Sequence, residues 1–96
     1  MAIWPFEDPE NVATITTRQV MQDGEPILWV SHDADDGTWQ FHTGGRVEMA
    51  DALMVTLRSV LKLDASIGEL ADLPLGWIAE RSASDQRWHR RERDET

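Results

Sequence analysis

Four groupings in this 96-residue chain hold side chains from which a reactive or ion-binding centre could be built. The first is Asp33-Ala34-Asp35-Asp36-Gly37, a carboxylate run of the kind that attracts a hard cation. An EF-hand loop counted from Asp33 needs an oxygen ligand at its fifth position and a Glu at its twelfth. Those positions are Gly37 and Gly44, so the motif fails and a solvated loop is the reading. The second grouping is the three histidines. Pairing of the flanking segments sets Leu28 opposite His42 and His32 opposite Thr38, which separates His32 from His42 along the sheet. His89 lies near the chain end, and no ligand set results. The third is Ser31-His32. Neighbours in a strand point to opposite faces, so these two cannot act as nucleophile and base. There is no Cys and no G-x-S-x-G. The fourth, Gly44-Gly45-Arg46, is too short for a phosphate loop and lacks the following Lys-Ser/Thr. The residues therefore predict no catalytic set, no metal and no cofactor, and the chain is read as not an enzyme.

The arginines divide into two kinds. Arg81 follows Glu80 at the end of an apolar run, where a partly buried guanidinium would tie loops together and could pair with an acid of the 33–37 loop. Arg87, Arg90, Arg91 and Arg93 crowd the last ten positions, but Glu92, Asp94 and Glu95 interleave with them, which argues for a solvated end over a nucleic-acid tail.

Positioning these groups falls to an α+β pattern. Residues 1–11 carry Pro5 and Pro9, which forbid regular structure, and read as an N-terminal arm that pins Trp4 or Phe6 to the body. Val12–Thr16 is β-branched and reads as a strand. Thr17 can cap one helical turn, Arg18–Met21. Asp23-Gly24-Glu25-Pro26 is turn chemistry. Ile27–His32 and Thr38–His42 then form a hairpin about the acidic loop, with Trp39 and Phe41 on one face and Gln40 and His42 on the other. Arg46–Met54 is ambiguous, with one helical turn available in Glu48–Leu53. Val55–Leu57 reads as an edge strand or a helix entry. Leu57, Val60, Leu61 and Leu63 have helical spacing. Ser66-x-x-Glu69 has the form of a capping box that opens a second short helix, stopped by Pro74. Gly76–Arg81 reads as the last strand, and Arg87-Trp88 as a possible return to the sheet. His89–Thr96 has no apolar residue to bury and is expected to be a disordered charged tail. The expected architecture is one α+β domain over residues 12–88, an antiparallel or mixed sheet of four to five strands with short helices on one face.

A chain of this length must fill its core with large side chains. Of the five tryptophans, Trp29, Trp39 and Trp77 sit inside apolar runs and read as core, while Trp4 and Trp88 are open between core and interface. The formal charge of −9 disfavours nucleic acid and anionic lipid and favours a basic partner. The first residues have neither a basic nor an apolar leader region, and no apolar run nears the roughly 20 residues that span a bilayer. With no Cys, the expectation is a soluble, cytoplasmic protein.

Gly24-x-Pro26-Ile27, the acidic loop, Asp36-Gly37-x-Trp39-x-Phe41-x-x-Gly44, then Asp64-x-x-Ile67-x-x-Leu70-x-Asp72-x-Pro74-x-Gly76 and Ala79-Glu80-Arg81 together resemble a small bacterial domain family of unknown function. Some of its members are proposed as immunity proteins of polymorphic toxin systems. The resemblance spans roughly residues 17–88. The stretch from Gly44 to Val55 is shorter than in many members, so a partner contact made there would be missing. The family has no catalytic motif to transfer, and the resemblance implies a neutralising or interaction role. The first expectation is thus a non-catalytic protein-binding module, immunity-protein-like. It would meet a basic partner such as a toxin through Asp33, Asp35, Asp36 and Arg81. The alternative is a small-ligand or regulatory domain with a pocket between the sheet and the 57–73 helices. Exposed edge strands leave a homodimer open.

Overall fold

The computed structural model describes residues 3–93. Strand β1 (Ala13–Thr17) runs into helix α1 (Arg18–Met21), and β2 (Trp29–His32) and β3 (Trp39–His42) form the hairpin. A 3-10 turn, Met49–Asp51, leads into β4 (Ala52–Thr56), which passes directly into α2 (Leu57–Leu63). A 3-10 helix, Ala65–Leu70, precedes β5 (Trp77–Glu80) and β6 (His89–Glu92).

The strands form one mixed sheet of six, in the order β4-β1-β3-β2-β5-β6. Only β1 and β3 are parallel; the other neighbours are antiparallel. The α+β class therefore holds, with one strand more than the expected four to five. The additional strand is β6, built from residues assigned to a disordered tail. It holds without apolar side chains because its backbone pairs with β5 and its arginines find acids. Arg90 pairs with Asp72 at 2.8 Å, Arg91 with Glu80 at 3.0 Å, and the following Arg93 with Asp33 at 3.6 Å. Charged edge strands are common because they discourage further pairing. Residues 94–96 of the expected tail lie outside the described residues.

One face of the sheet carries the core. Val30, Phe41 and Ala79 align across β2, β3 and β5 and are fully buried against Val20 of α1, Leu57 and Val60 of α2, and Ile67 and Leu70 of the 3-10 helix. The short helices thus pack on one face, as expected. Thr14 and Thr16 also point inward, and their hydroxyls donate to the carbonyls of Val55 and Phe41, at 3.0 and 2.8 Å, which removes the cost of burying them. Phe6 joins this core and meets Trp39 edge-on at 5.2 Å, so the arm is anchored to the domain at Phe6; its residues 1 and 2 lie outside the described residues. Thr17 caps α1 as predicted, accepting from the Val20 N–H. The second helix is capped otherwise than expected: Asp64, not Ser66, accepts from the backbone, through the Ser66 N–H.

Two sequence readings of the hairpin change. The register is shifted by one residue, with Trp29 opposite His42 and His32 opposite Trp39. The Gly37 N–H closes back on the Asp33 carbonyl, with Gly37 at φ +74°, so the loop takes a wider turn than a two-residue one. Of the three tryptophans expected in the core, only Trp39 is fully buried; Trp29 and Trp77 are half-buried. Trp29 stands on the face opposite the core, with Gln40, His42, Ile78 and Arg91.

Candidate functional site

Strand β2 has a differently built charged centre at each end. At its N-terminal end Arg81 lies beside Leu28, whose carbonyl accepts from the Arg81 N–H. The Arg81 side chain is 2% exposed and fully engaged. Nε donates to the Ile27 carbonyl at 3.1 Å, Nη1 to the Ser84 carbonyl at 3.1 Å, and Nη2 to Asp64 Oδ2 at 3.0 Å. Its guanidinium carbon lies 4.0 Å from the Trp88 ring centre, a cation–π contact. The other carboxylate oxygen of Asp64 caps the 3-10 helix. Arg81 therefore ties three loops together, as one reading of it predicts. Its acid is Asp64, not a member of the 33–37 loop, and it lies at the opposite end of β2 from that loop. Arg81 and the loop acids do not form one site.

At the C-terminal end the three loop acids separate. Asp33 turns onto the open sheet face, with its side chain 14% exposed. Its Oδ1 accepts from the Ser31 hydroxyl at 2.8 Å, and its Oδ2 accepts from Gln40 Nε2 at 2.6 Å. Gln40 Oε1 in turn meets His42 Nε2 at 2.9 Å. With that ring nitrogen as the donor, Nδ1 is left as an acceptor, buried and without a partner. Burial pushes the His42 imidazole below its ordinary pKa, and the Asp33 charge opposes this only in part. The Ser31 hydroxyl is held by the acid and not by the imidazole, so the chain Ser31–Asp33–Gln40–His42 is not a nucleophile–base pair. Arg93 closes over this network, 3.6 Å from Asp33 and 5.7 Å from the Trp29 ring centre. A hollow of about 270 Å³ opens beside it, between Trp29, His42 and Gly44.

Asp35 and Asp36 are exposed. Asp36 accepts from the Thr38 N–H at 2.9 Å, and that backbone bond holds its carboxyl below the usual range. Below the loop lies a hollow of about 440 Å³ bordered by Glu7, Asp8, His32, Asp36 and Leu75. Leu75 is 57% exposed. Among the described residues, Glu7, Asp8, Asp35 and Asp36 form no ion pair. The wall of this hollow is held by ring stacking and hydrogen bonds. His32 stacks on Trp39 at 3.9 Å and its Nδ1 meets the Leu73 carbonyl at 2.7 Å. Trp39 Nε1 donates to Asp8 Oδ1 at 3.1 Å, which fixes one of the acids.

The two motif clusters quoted from the sequence meet here. The Gly76 N–H donates to the His32 carbonyl at 2.7 Å. Gly76 has φ +84°, and a Cβ placed on it would lie 3.5 Å from Ala34 of the hairpin loop. Glu7 and Asp8 were missed by the sequence reading. Their only signal was acidity in an arm whose neighbour, Phe6, had to be anchored. The space between sheet and 57–73 helices, where a ligand pocket was expected, is filled by Leu57, Val60, Ile67 and Leu70, each at most 1% exposed.

Among the described residues no three His, Asp or Glu side chains come together as a metal would require, and no helix is long and apolar enough to cross a membrane. A scan against protein-family models found no match, and comparisons with curated proteins and with solved structures found none either.

Proposed function

We propose that this chain is a non-catalytic protein-binding module that takes a basic partner at the loop end of its sheet, in the manner of the immunity proteins its motifs resemble. One observation carries the reading: three carboxylates without cations, Glu7, Asp8 and Asp36, border one hollow with the exposed Leu75 on a wall that includes the His32–Trp39 stack, and Asp35 stands exposed beside them on the same loop as Asp36. Such an arrangement steers a cationic surface by charge and offers one apolar anchor on arrival. Asp33 supports the site from within and Arg81 supports the fold. Neither contacts the partner in this reading.

The test uses the immobilised full-length chain with a lysate of its host, at low salt. Retention of a basic protein that Asp35→Asn/Asp36→Asn retains much less is the expected result. Retention of no basic protein, or equal retention by both forms, contradicts the proposal. A toxin gene beside the gene for this chain would support the immunity reading in particular, and its absence would count against it.

A second reading places a small ligand in the hollow beside Trp29, because His42, whose buried Nδ1 has no partner, is one of its lining residues. A turn of the His42 ring would open that nitrogen to a hydrogen-bond donor on the ligand. A metabolite that raises the melting temperature of the natural chain but not of His42→Phe would support it. A screen in which nothing does so would remove it.

A further inference from the structure

The two edges of the sheet are built oppositely. Edge strand β6 reads His89-Arg90-Arg91-Glu92, charged along its length and exposed throughout. Edge strand β4 reads Ala52-Leu53-Met54-Val55-Thr56 and has no ionisable residue. A free edge presents unpaired backbone donors and acceptors, and proteins usually blunt such an edge with charge, proline or a bulge. At β6 the charge is present. Along β4 it is absent, and exposed apolar side chains accompany the edge: Met54 is 74% exposed, and Met49, just before the strand, is 90% exposed.

We propose that β4 pairs antiparallel with β4 of a second copy of this chain, joining two six-stranded sheets across a two-fold axis at Met54. That axis sets Met54 against its own counterpart, Leu53 against Val55 and Ala52 against Thr56, so no charge opposes another along the seam. The flanking charges favour a second copy over a foreign strand. Glu48 and Asp51 precede β4 and Arg58 and Lys62 follow it, so the two-fold brings the acidic end of each strand to the basic end of the other. Asp51 is held by Arg18 and Glu48 by Arg46, both in surface pairs that exchange partners readily, whereas Arg58 and Lys62 have no ion pair among the described residues. A five-residue seam is smaller than a standard interface, so the equilibrium depends on concentration in the micromolar range or above. The net charge of −9 on each copy opposes association, and salt screens that repulsion. Dimer formation therefore strengthens with salt, whereas capture of a basic partner at the acidic end weakens with it. The two proposals can fail independently.

The experiment is sedimentation equilibrium of the full chain over a wide concentration range, with hydrogen exchange read at 52–56. The natural chain is expected to dimerise reversibly and to gain protection at the outward-facing amides of Met54 and Thr56 as concentration rises, since the Ala52 N–H is already bonded to the Met49 carbonyl and the Leu53 and Val55 N–H groups face β1. Met54→Lys and Met54→Glu are each expected to stay monomeric, and their mixture to restore a dimer. A natural chain that stays monomeric at every concentration overturns the proposal. So does a dimer without concentration-dependent protection at 52–56, a Met54→Lys that dimerises like the natural chain, or a mixture that forms no dimer.

Discussion

The two ends of β2 use the same residue types to opposite effect. At one end a buried arginine meets a partly exposed aspartate: Arg81 has every nitrogen engaged, Asp64 caps a helix, and Trp88 covers the guanidinium. At the other end three carboxylates without cations border a hollow with an exposed leucine, and a fourth, Asp35, stands exposed on the adjoining loop. A charge whose hydrogen bonds are all met inside the fold holds loops in place and is unavailable to a partner. A charge left in solvent does little for stability and is free to act in recognition. Arg81 is thus engaged inside the fold, whereas Asp36 stands in solvent.

This contrast predicts a graded series of effects. The largest belongs to Arg81. Replacing Arg81 by Met removes a buried cation and leaves Asp64 Oδ2 and the Ile27 and Ser84 carbonyls without their donor, each worth about 1–3 kcal/mol, so chemical denaturation should show a loss of about 3 kcal/mol or more. A loss below about 1 kcal/mol, typical of exposed pairs, would erase the distinction between the two ends. Asp33 comes next, since it joins the acidic loop to the polar network. Asp33→Ala leaves Ser31 and Gln40 without their shared acceptor and frees Arg93, and the expected loss is about 1–3 kcal/mol by the same measurement.

The third effect depends on pH. His42 is held neutral by burial, so its folded pKa lies below the ordinary imidazole value of about 6.5. The unfolded chain takes up the proton first as pH falls. The stability that neutral His42 contributes is complete above about pH 6.5 and is lost as pH falls from there through the lowered folded value. Melting temperatures should decline across that window in the natural chain and decline less in His42→Gln. Parallel curves for the two would show that His42 is not the responsible group. The carboxylates that the fold holds below their usual range, Asp36, Asp51 and Asp72, act at lower pH and leave this window clear. The smallest effect on stability is expected at the exposed acids, where Asp35→Asn/Asp36→Asn should leave the melting temperature unchanged. The new amide can still accept from the Thr38 N–H.

Much of the framework was legible because it rests on local chemistry. Thr17 capping Arg18–Met21, the helix from Leu57, the facing of Trp39 and Phe41, and the loop-tying role of Arg81 all follow from side-chain type and short spacing. What was not legible depends on long-range pairing. β6 has no hydrophobic signal because an edge strand can be held by backbone bonds and by Arg90, Arg91 and Arg93 reaching acids distant in sequence. The hairpin slipped by one residue because the turn closes from Gly37 to Asp33. The site itself was half visible. Asp35 and Asp36 could be named from composition. The inward turn of Asp33 needed the positions of Gln40 and Arg93, and the contribution of Glu7 and Asp8 needed the Trp39–Asp8 bond.

The most direct test of the division between the two ends is the dissociation constant of the retained basic partner for the natural chain and for Asp35→Asn/Asp36→Asn, measured at low salt. The expected result is a weakening of roughly tenfold or more, carried largely by slower association and shrinking as salt is added. An unchanged constant, with an unchanged salt dependence, would contradict the assignment of the acidic end to recognition.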